Sequence, residues 1–282
     1  MEFAKTVEAA RRQAGAWKTE GCTIGLVPTM GYLHDGHASL IRRAAADNDK
    51  VVVSVFVNPM QFGVSEDLAE YPRDIERDGD VCRQNGVHLL FSPDAGELYP
   101  DGFCSFVDMS GLTDALCGRS RPALFRGVCT VVAKLFHIIQ PHTAYFGQKD
   151  AQQLAIIRRM TADLNLPVNI VGCPVVREPD GLALSSRNKH LNPAERKAAL
   201  CLSAGLAEGR RLLENGETDV RRIKAAVRAP MEAEPLARVD YAELVDADGM
   251  RPAAAAHRPL LCAAAVFIGA TRLIDNFILD AE

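Results

Sequence analysis

The run Val51–Val57, VVVSVFV, constrains the fold more than any other stretch of the sequence. It is β-branched and apolar on both faces, so one side cannot be left to water. That is the signature of a strand buried inside a parallel sheet. Parallel neighbours need a crossover, usually a helix, and the preceding residues supply one. Thr23–Val27 is a short apolar run ending at Pro28, followed by the Gly-containing loop PTMGYLHDGH. In Ala38–Ala46 the residues Leu40, Ile41 and Ala44 share a helical face, with Arg42, Arg43 and Asp47 off it. Strand, loop, helix and strand make a βαβ unit, expected to cross over right-handed.

The alternation continues. Helices are predicted at Val7–Trp17 (exposed), Asp74–Gln84, Phe125–Ile139 and Ala151–Leu164. Strands are predicted at His88–Phe91, Thr143–Phe146 and Val168–Val171. The fold class expected is α/β, a Rossmann-like doubly wound parallel sheet with helices on both faces. After Asn188 the pattern changes. Pro193–Asn215 reads as one long helix with Asn192 as N-cap and Pro193 at its first position. Thr218–Val227 reads as a second helix, and Val239–Val245 and Leu260–Ile268 as strands. Two domains are therefore expected: a Rossmann-like domain over 1–188 and a smaller α+β domain over 189–282.

Composition excludes several classes. With 48% hydrophobic and 24% charged residues, the chain reads as an ordinary globular protein. A chain of 282 residues buries about three quarters of its unfolded surface and needs no staples. The net charge of −4 lacks the basic excess of a nucleic-acid binder but leaves room for a local phosphate site. The most apolar stretch, Pro259–Ala270, falls short of the roughly 20 residues of a spanning helix. The N-terminus has no apolar core behind its charges, so no membrane association and a cytoplasmic location are expected. The eight cysteines lie more than ten residues apart, with no zinc-type spacing. They read as buried thiols, with one reactive cysteine as the alternative.

Four segments carry candidate chemistry. In PTMGYLHDGH the loop joins a strand end to a helix N-terminus, where ligands of open α/β sheets bind and free N–H groups suit phosphate. His34 and His37 are three residues apart, so both can aim at one point and donate to a phosphoryl group gaining charge. Capping histidines are the plain alternative; zinc is disfavoured because the Glu of H-E-x-x-H is missing. In NPMQF, Asn58 and Gln61 offer amide donors and acceptors suited to a hydroxy acid, or simply close the strand. In YFGQKDAQQL, Lys149 is a point charge for a polyphosphate, or half of a solvated pair with Asp150. In LSSRN, two hydroxyls and a guanidinium form a phosphate clamp or a polar linker. Met30 and Met60 read as packing residues. His88, His137, His142, His190 and His257 read as structural or surface groups.

Together with FRGVCTVVAKLFHIIQP and GATRLIDNF, these motifs resemble the pantothenate synthetase (pantoate–β-alanine ligase) family over most of the chain. The H-x-G-H loop alone marks only the wider nucleotidylyltransferase superfamily. The resemblance implies ATP-dependent joining of pantoate and β-alanine through a pantoyl adenylate, with Mg²⁺ and a homodimer. Another nucleotidylyltransferase, or an inactive nucleotide-binding protein, is the alternative. By position, Met30, Gly31, Tyr32, Leu33, His34, Asp35, Gly36 and His37 would line the ATP site. Gly147, Gln148, Lys149, Asp150, Val176, Leu184, Ser185, Ser186 and Arg187 would complete it, with Val176 touching adenine through its backbone. His34, His37 and Lys149 would be catalytic. Gln61 and Gln153 would hold pantoate, Gln61 also lying near β-alanine. The second domain would act as a lid. Two positions depart from the pattern: Gln148 stands where many relatives have Glu, and Leu184 where many have Met.

Overall fold

The computed structural model describes residues 1–63, 68–256 and 259–279. The strands are β1 (Glu2–Ala4), β2 (Ile24–Thr29), β3 (Lys50–Val55), β4 (Leu89–Phe91), β5 (Thr143–Gly147), β6 (Asn169–Cys173), β7 (Ala237–Asp246), β8 (Leu260–Ile268) and β9 (Thr271–Leu279). The first six form a parallel sheet in the order β1-β4-β3-β2-β5-β6. The last three form a separate antiparallel sheet, β7-β8-β9.

The valine run behaves as its composition demands. Val51, Val52 and Val53 are fully buried, and alternate residues enter different cores. Val52 packs with Leu26, Phe91 and the helix Leu124–Ile139 on one side of the sheet. Val51 and Val53 pack with Val27 and with Leu40, Ile41 and Ala44 of the helix Asp35–Asp47 on the other. From β2 the strand order runs outward in two directions, through β3 and through β5. This reversal opens a crevice at the carboxyl ends of β2, β3 and β5.

The antiparallel sheet is also two-sided. Ala242, Leu244, Cys262, Ala264 and Val266 face a core shared with the helices Leu200–Glu214 and Val220–Glu232. The alternate residues Tyr241, Val245, Leu261, Ala263 and Ala265 join the core of the parallel sheet. Bonds cross the same seam: Arg177 donates to Asp275 at 2.6 and 3.0 Å, and Arg272 to Cys117 Sγ at 3.6 Å.

Several elements differ from the sequence expectation. β1 was not predicted; three residues, two of them exposed, are too few to show a period. The helix Val7–Thr19 is not exposed all round: Ala10, Ala14 and Trp17 are buried along one face. The long helix expected from Pro193 is two, Pro193–Ala198 and Leu200–Glu214. The turn tightens at Ala199, whose carbonyl accepts from Leu202 N three residues on, and no Gly or Pro announces it. Its start is as expected: Asn192 Oδ1 accepts from Ala194 and Glu195 N–H, and Glu195 returns the bond. The next helix runs to Glu232 through Pro230, because Ile223, Val227 and Met231 bury one face and packing overrides the missing donor. β9 was visible only as a motif. Of the cysteines, Cys104 is exposed, and Cys22 and Cys201 are half-buried. His257 lies outside the described residues.

Candidate active site

The crevice is a cleft of about 1150 Å³ floored by Pro28 and Thr29 of β2, Ser54 of β3, and Phe146 and Gly147 of β5. The helix Asp35–Asp47 starts at its edge. His34 is the extended N-cap (φ −133°, ψ 177°), and its Nδ1 accepts the Gly36 N–H at 3.1 Å. His37, one turn on, accepts the His34 N–H on its own Nδ1 at 3.3 Å. This reciprocal pair is a capping box built from two imidazoles, with ring centroids 4.1 Å apart. Gly36 is required there, because a Cβ would come within 2.8 Å of the His34 ring.

The caps fix the tautomers. A neutral ring that accepts on Nδ1 carries its proton on Nε2. Burial lowers the His34 pKa to about 4, with Lys149 adding to the shift. Burial, His34 and Lys149 lower that of His37 to about 3. At neutral pH both rings are therefore uncharged Nε2–H donors lining the cleft. The capping contacts use Nδ1 of each ring, which leaves Nε2–H for the cleft.

The rest of the loop is shaped from below by a residue the sequence reading missed. Asp78 is fully buried, and its carboxylate accepts the N–H groups of Tyr32 at 2.9 Å and Leu33 at 2.7 Å. Burial pushes its pKa up, and the two N–H bonds oppose that shift. Gly31 (φ +88°) and Tyr32 (φ +53°) are both left-handed, so consecutive amides turn toward one anion. Leu33 is buried in the core. Met30, His34, Gly36 and His37 line the cleft; Gly31, Tyr32, Leu33 and Asp35 lie outside its lining.

Gln61 ends a short 3-10 turn, Pro59–Gln61, beyond β3. Its Nε2 donates to Met30 Sδ at 3.0 Å, and its Oε1 accepts from Asn58 at 3.1 Å. Asn58 is a buried hub that also donates to the Gly127 carbonyl and accepts from Tyr99. Gly127 lets the turn seat on the helix Leu124–Ile139: a Cβ there would overlap the Met60 carbonyl and the Gln61 amide. Gln153 lines the same cleft. Gln152 lines it too, and its amide ties down Leu112, Ala115 and Cys117.

Lys149 and Asp150 line the cleft beyond β5, whereas Gln148 does not. Asn276 of β9 anchors this turn, donating to the carbonyls of Gln148 at 3.0 Å and Lys149 at 2.8 Å. On the facing side, Leu184, Ser185, Ser186 and Arg187 line the cleft with Val176, whose carbonyl is taken by the Leu184 N–H at 3.0 Å. Ser185 caps the turn Ser186–His190, Ser186 Oγ meets the Tyr71 hydroxyl at 3.3 Å, and Asn188 bonds Glu178 and the Ala183 carbonyl. His190, read as a structural or surface group, also lines the cleft. His88 and His142 are structural as read, accepting the N–H groups of Val51 and Ile24.

The sequence model of the pantoate–β-alanine ligase family matches residues 2–278. The chain belongs to that family. It is 56% identical over 273 residues to the pantothenate synthetase of Heliobacterium modesticaldum, covering 95% of this chain and 97% of the relative. It is 54% identical over 277 residues to that of Clostridium acetobutylicum, covering 98% and 99%. A crystal structure of pantothenate synthetase from Thermus thermophilus superposes with a TM-score of 0.94 at 43% identity, covering both chains fully. The pantoate–β-alanine ligase of Francisella tularensis, complexed with Beta-gamma ATP and β-alanine, gives a TM-score of 0.80 at 32% identity over 99% and 97% of the two chains. The chain is thus a ligase of pantothenate biosynthesis.

Within this ligase, Asp78 lay outside every quoted motif, and Asn276 lay inside GATRLIDNF with no role read for it, because each acts on backbone far away in sequence. Asp78 did carry a signal. It is an acid on the buried face of a helix, beside Gly79 and Cys82, and a buried acid needs a partner.

Proposed function

We propose that the chain condenses (R)-pantoate with β-alanine at the expense of ATP, giving pantothenate, AMP and diphosphate. The pantoate carboxylate attacks the α-phosphorus, and diphosphate leaves. The amine of β-alanine then attacks the acyl carbon of the pantoyl adenylate, AMP departs, and the nitrogen loses its proton. A carboxylate is a poor acyl donor, and adenylation supplies the leaving group.

The observation that carries this reading is the pair of neutral Nε2–H donors at a helix N-terminus beside Lys149. In the first step negative charge grows on the α-phosphoryl oxygens. His34 and His37 stabilise it by donation without first losing a charge of their own. Lys149 balances the departing diphosphate, and Ser185, Ser186 and Arg187 hold the β- and γ-phosphates. Gln61 and Gln153 orient pantoate, with Gln61 near the incoming amine. Val176 touches the adenine through its backbone.

ATP enters as its magnesium complex. Among the described residues no three His, Cys, Asp or Glu side chains gather into a cage. Mg²⁺ keeps several waters and is held by substrate phosphates and one or two carboxylates; Asp150, beside Lys149 in the cleft lining, would supply one. When bound, the ion neutralises phosphate charge. The first domain (1–188) holds ATP and pantoate, the second (189–282) covers the cleft and keeps water from the adenylate, and two copies form a cytoplasmic homodimer. Among the described residues, no helix is long and apolar enough to cross a membrane.

The deciding experiment is diphosphate release from MgATP and D-pantoate, with and without β-alanine, identifying the product by mass. Sustained release that needs both acids and yields pantothenate is the expected result. ATP binding without release under any acid would overturn the assignment.

A further inference from the structure

Just outside the cleft, two cations share one aromatic ring. The Arg77 guanidinium lies 4.5 Å and the Lys189 ammonium 4.2 Å from the Tyr32 ring centroid. The two charges are therefore less than about 9 Å apart, yet among the described residues neither has a carboxylate within ion-pair distance. Other cations sit over aromatic rings singly, as Lys50 does over Trp17 and Arg238 over Phe267; here two share one ring. Both cations are exposed, and Tyr32 is half-buried.

Three features orient the cluster toward the cleft. Tyr32 precedes His34 by two residues and is held by Asp78 in a left-handed conformation (φ +53°). Such a conformation is unfavourable for a non-glycine residue, and here it fixes where the ring projects. Lys189 sits between Arg187 and His190 on the turn Ser186–His190, and Ser186, Arg187 and His190 all line the cleft. The Arg77 charge is close enough to help keep the His34 ring neutral. The phosphate end of the cleft is thus continued outward by two positive charges on an aromatic support, with no carboxylate among the described residues at ion-pair distance.

We propose that Tyr32, Arg77 and Lys189 form an outer anion shelf that receives diphosphate as it leaves the cleft and holds the terminal phosphate of incoming ATP. This rests on the function proposed above and adds binding residues to it. The ligand class is a di- or triphosphate carrying at least two negative charges beyond the α-phosphoryl group. Each cation gains from the ring's π-face, and the two lie near enough to each other to meet one polyanion together. The shelf also links the His34 loop to the Ser185–Arg187 clamp, since one ligand would touch residues on both.

The experiment uses the full-length enzyme and compares inhibition constants for inorganic diphosphate and for AMP. The variants are Arg77→Gln, Lys189→Gln and their combination, with Lys189→Arg as the charge-keeping control. Each exposed cation contributes a factor of a few to anion binding. The double variant is therefore expected to bind diphosphate about five- to tenfold more weakly, while AMP binding stays unchanged and Lys189→Arg stays near wild type. The wild-type diphosphate constant should weaken more with added salt than that of the double variant. An unchanged diphosphate constant in the double variant, or equal losses for diphosphate and AMP, would overturn the shelf. If the wild type binds neither diphosphate nor AMP, the proposed function falls as well, which separates the two failures.

Discussion

The imidazole capping box makes a prediction that separates the two nitrogens of each ring. His37→Gln keeps an acceptor for the His34 N–H, because Gln is a natural third residue of a capping box. His34→Asn keeps the N-cap, because Asn is among the best N-caps. Both remove the Nε2–H donor and the titration. The sign follows from the lowered pKa values. His37 falls to about 3 and His34 to about 4 in the folded protein, against about 6.5 unfolded. The unfolded chain therefore binds more protons between these limits. The histidine contribution to stability is full above pH 6.5 and is lost as pH falls through 6.5 toward the folded values. Between pH 8 and pH 5 each ring should cost between about 1 and 2 kcal/mol, the lower figure allowing for water reaching the cleft. Urea denaturation at fixed pH, with m-values checked for constancy, measures this. The wild type should lose more stability than His37→Gln over that range, and more again than the double variant. Stability curves that fall in parallel for all three would refute the buried neutral rings. At pH 8 the variants should fold normally yet adenylate pantoate roughly 10²-fold more slowly, the usual loss for one transition-state donor. Near-normal turnover would show that Nε2 does no chemistry.

Other substitutions probe the supports. Gly127→Ala should push the Pro59–Gln61 turn off its helix, costing about 1–3 kcal/mol as overpacking does, and should raise KM for pantoate more than for ATP; thermal melts and two-substrate kinetics read both. Gln61→Ala should raise the pantoate KM and leave the fold intact, and an unchanged pantoate KM would remove it from that subsite. Asp78→Asn leaves one of two loop N–H groups facing an amide donor. It should cost about 1–3 kcal/mol and raise KM for ATP, and a melting temperature equal to wild type would contradict its role. Asn276→Ala frees the carbonyls of Gln148 and Lys149 and should lower kcat more than it raises KM for pantoate, measured by diphosphate release.

Much of this protein was legible in the sequence because the signals are local. A β-branched run apolar on both faces can only be an inner parallel strand, and Asn192–Pro193 followed by Glu195 can only start a helix. The loop with His34 and His37 announced itself through Gly, His and position. What the sequence could not carry was anything whose partner is far along the chain. β1 exists because β4 offers it an edge. The helix Val220–Glu232 runs through Pro230 because a buried face outweighs one missing donor. The same holds in the site. Asp78 bends a loop more than forty residues away, Gly127 seats Gln61, and Asn276 of β9 holds the Lys149 turn. Which histidine nitrogen faces the cleft was fixed only when the folded helix end supplied N–H groups to the other one. Sequence determined which side chains are present and which local elements present them. Tertiary structure decided their protonation, their tautomers and their aim, because these depend on burial and on partners that only folding brings near.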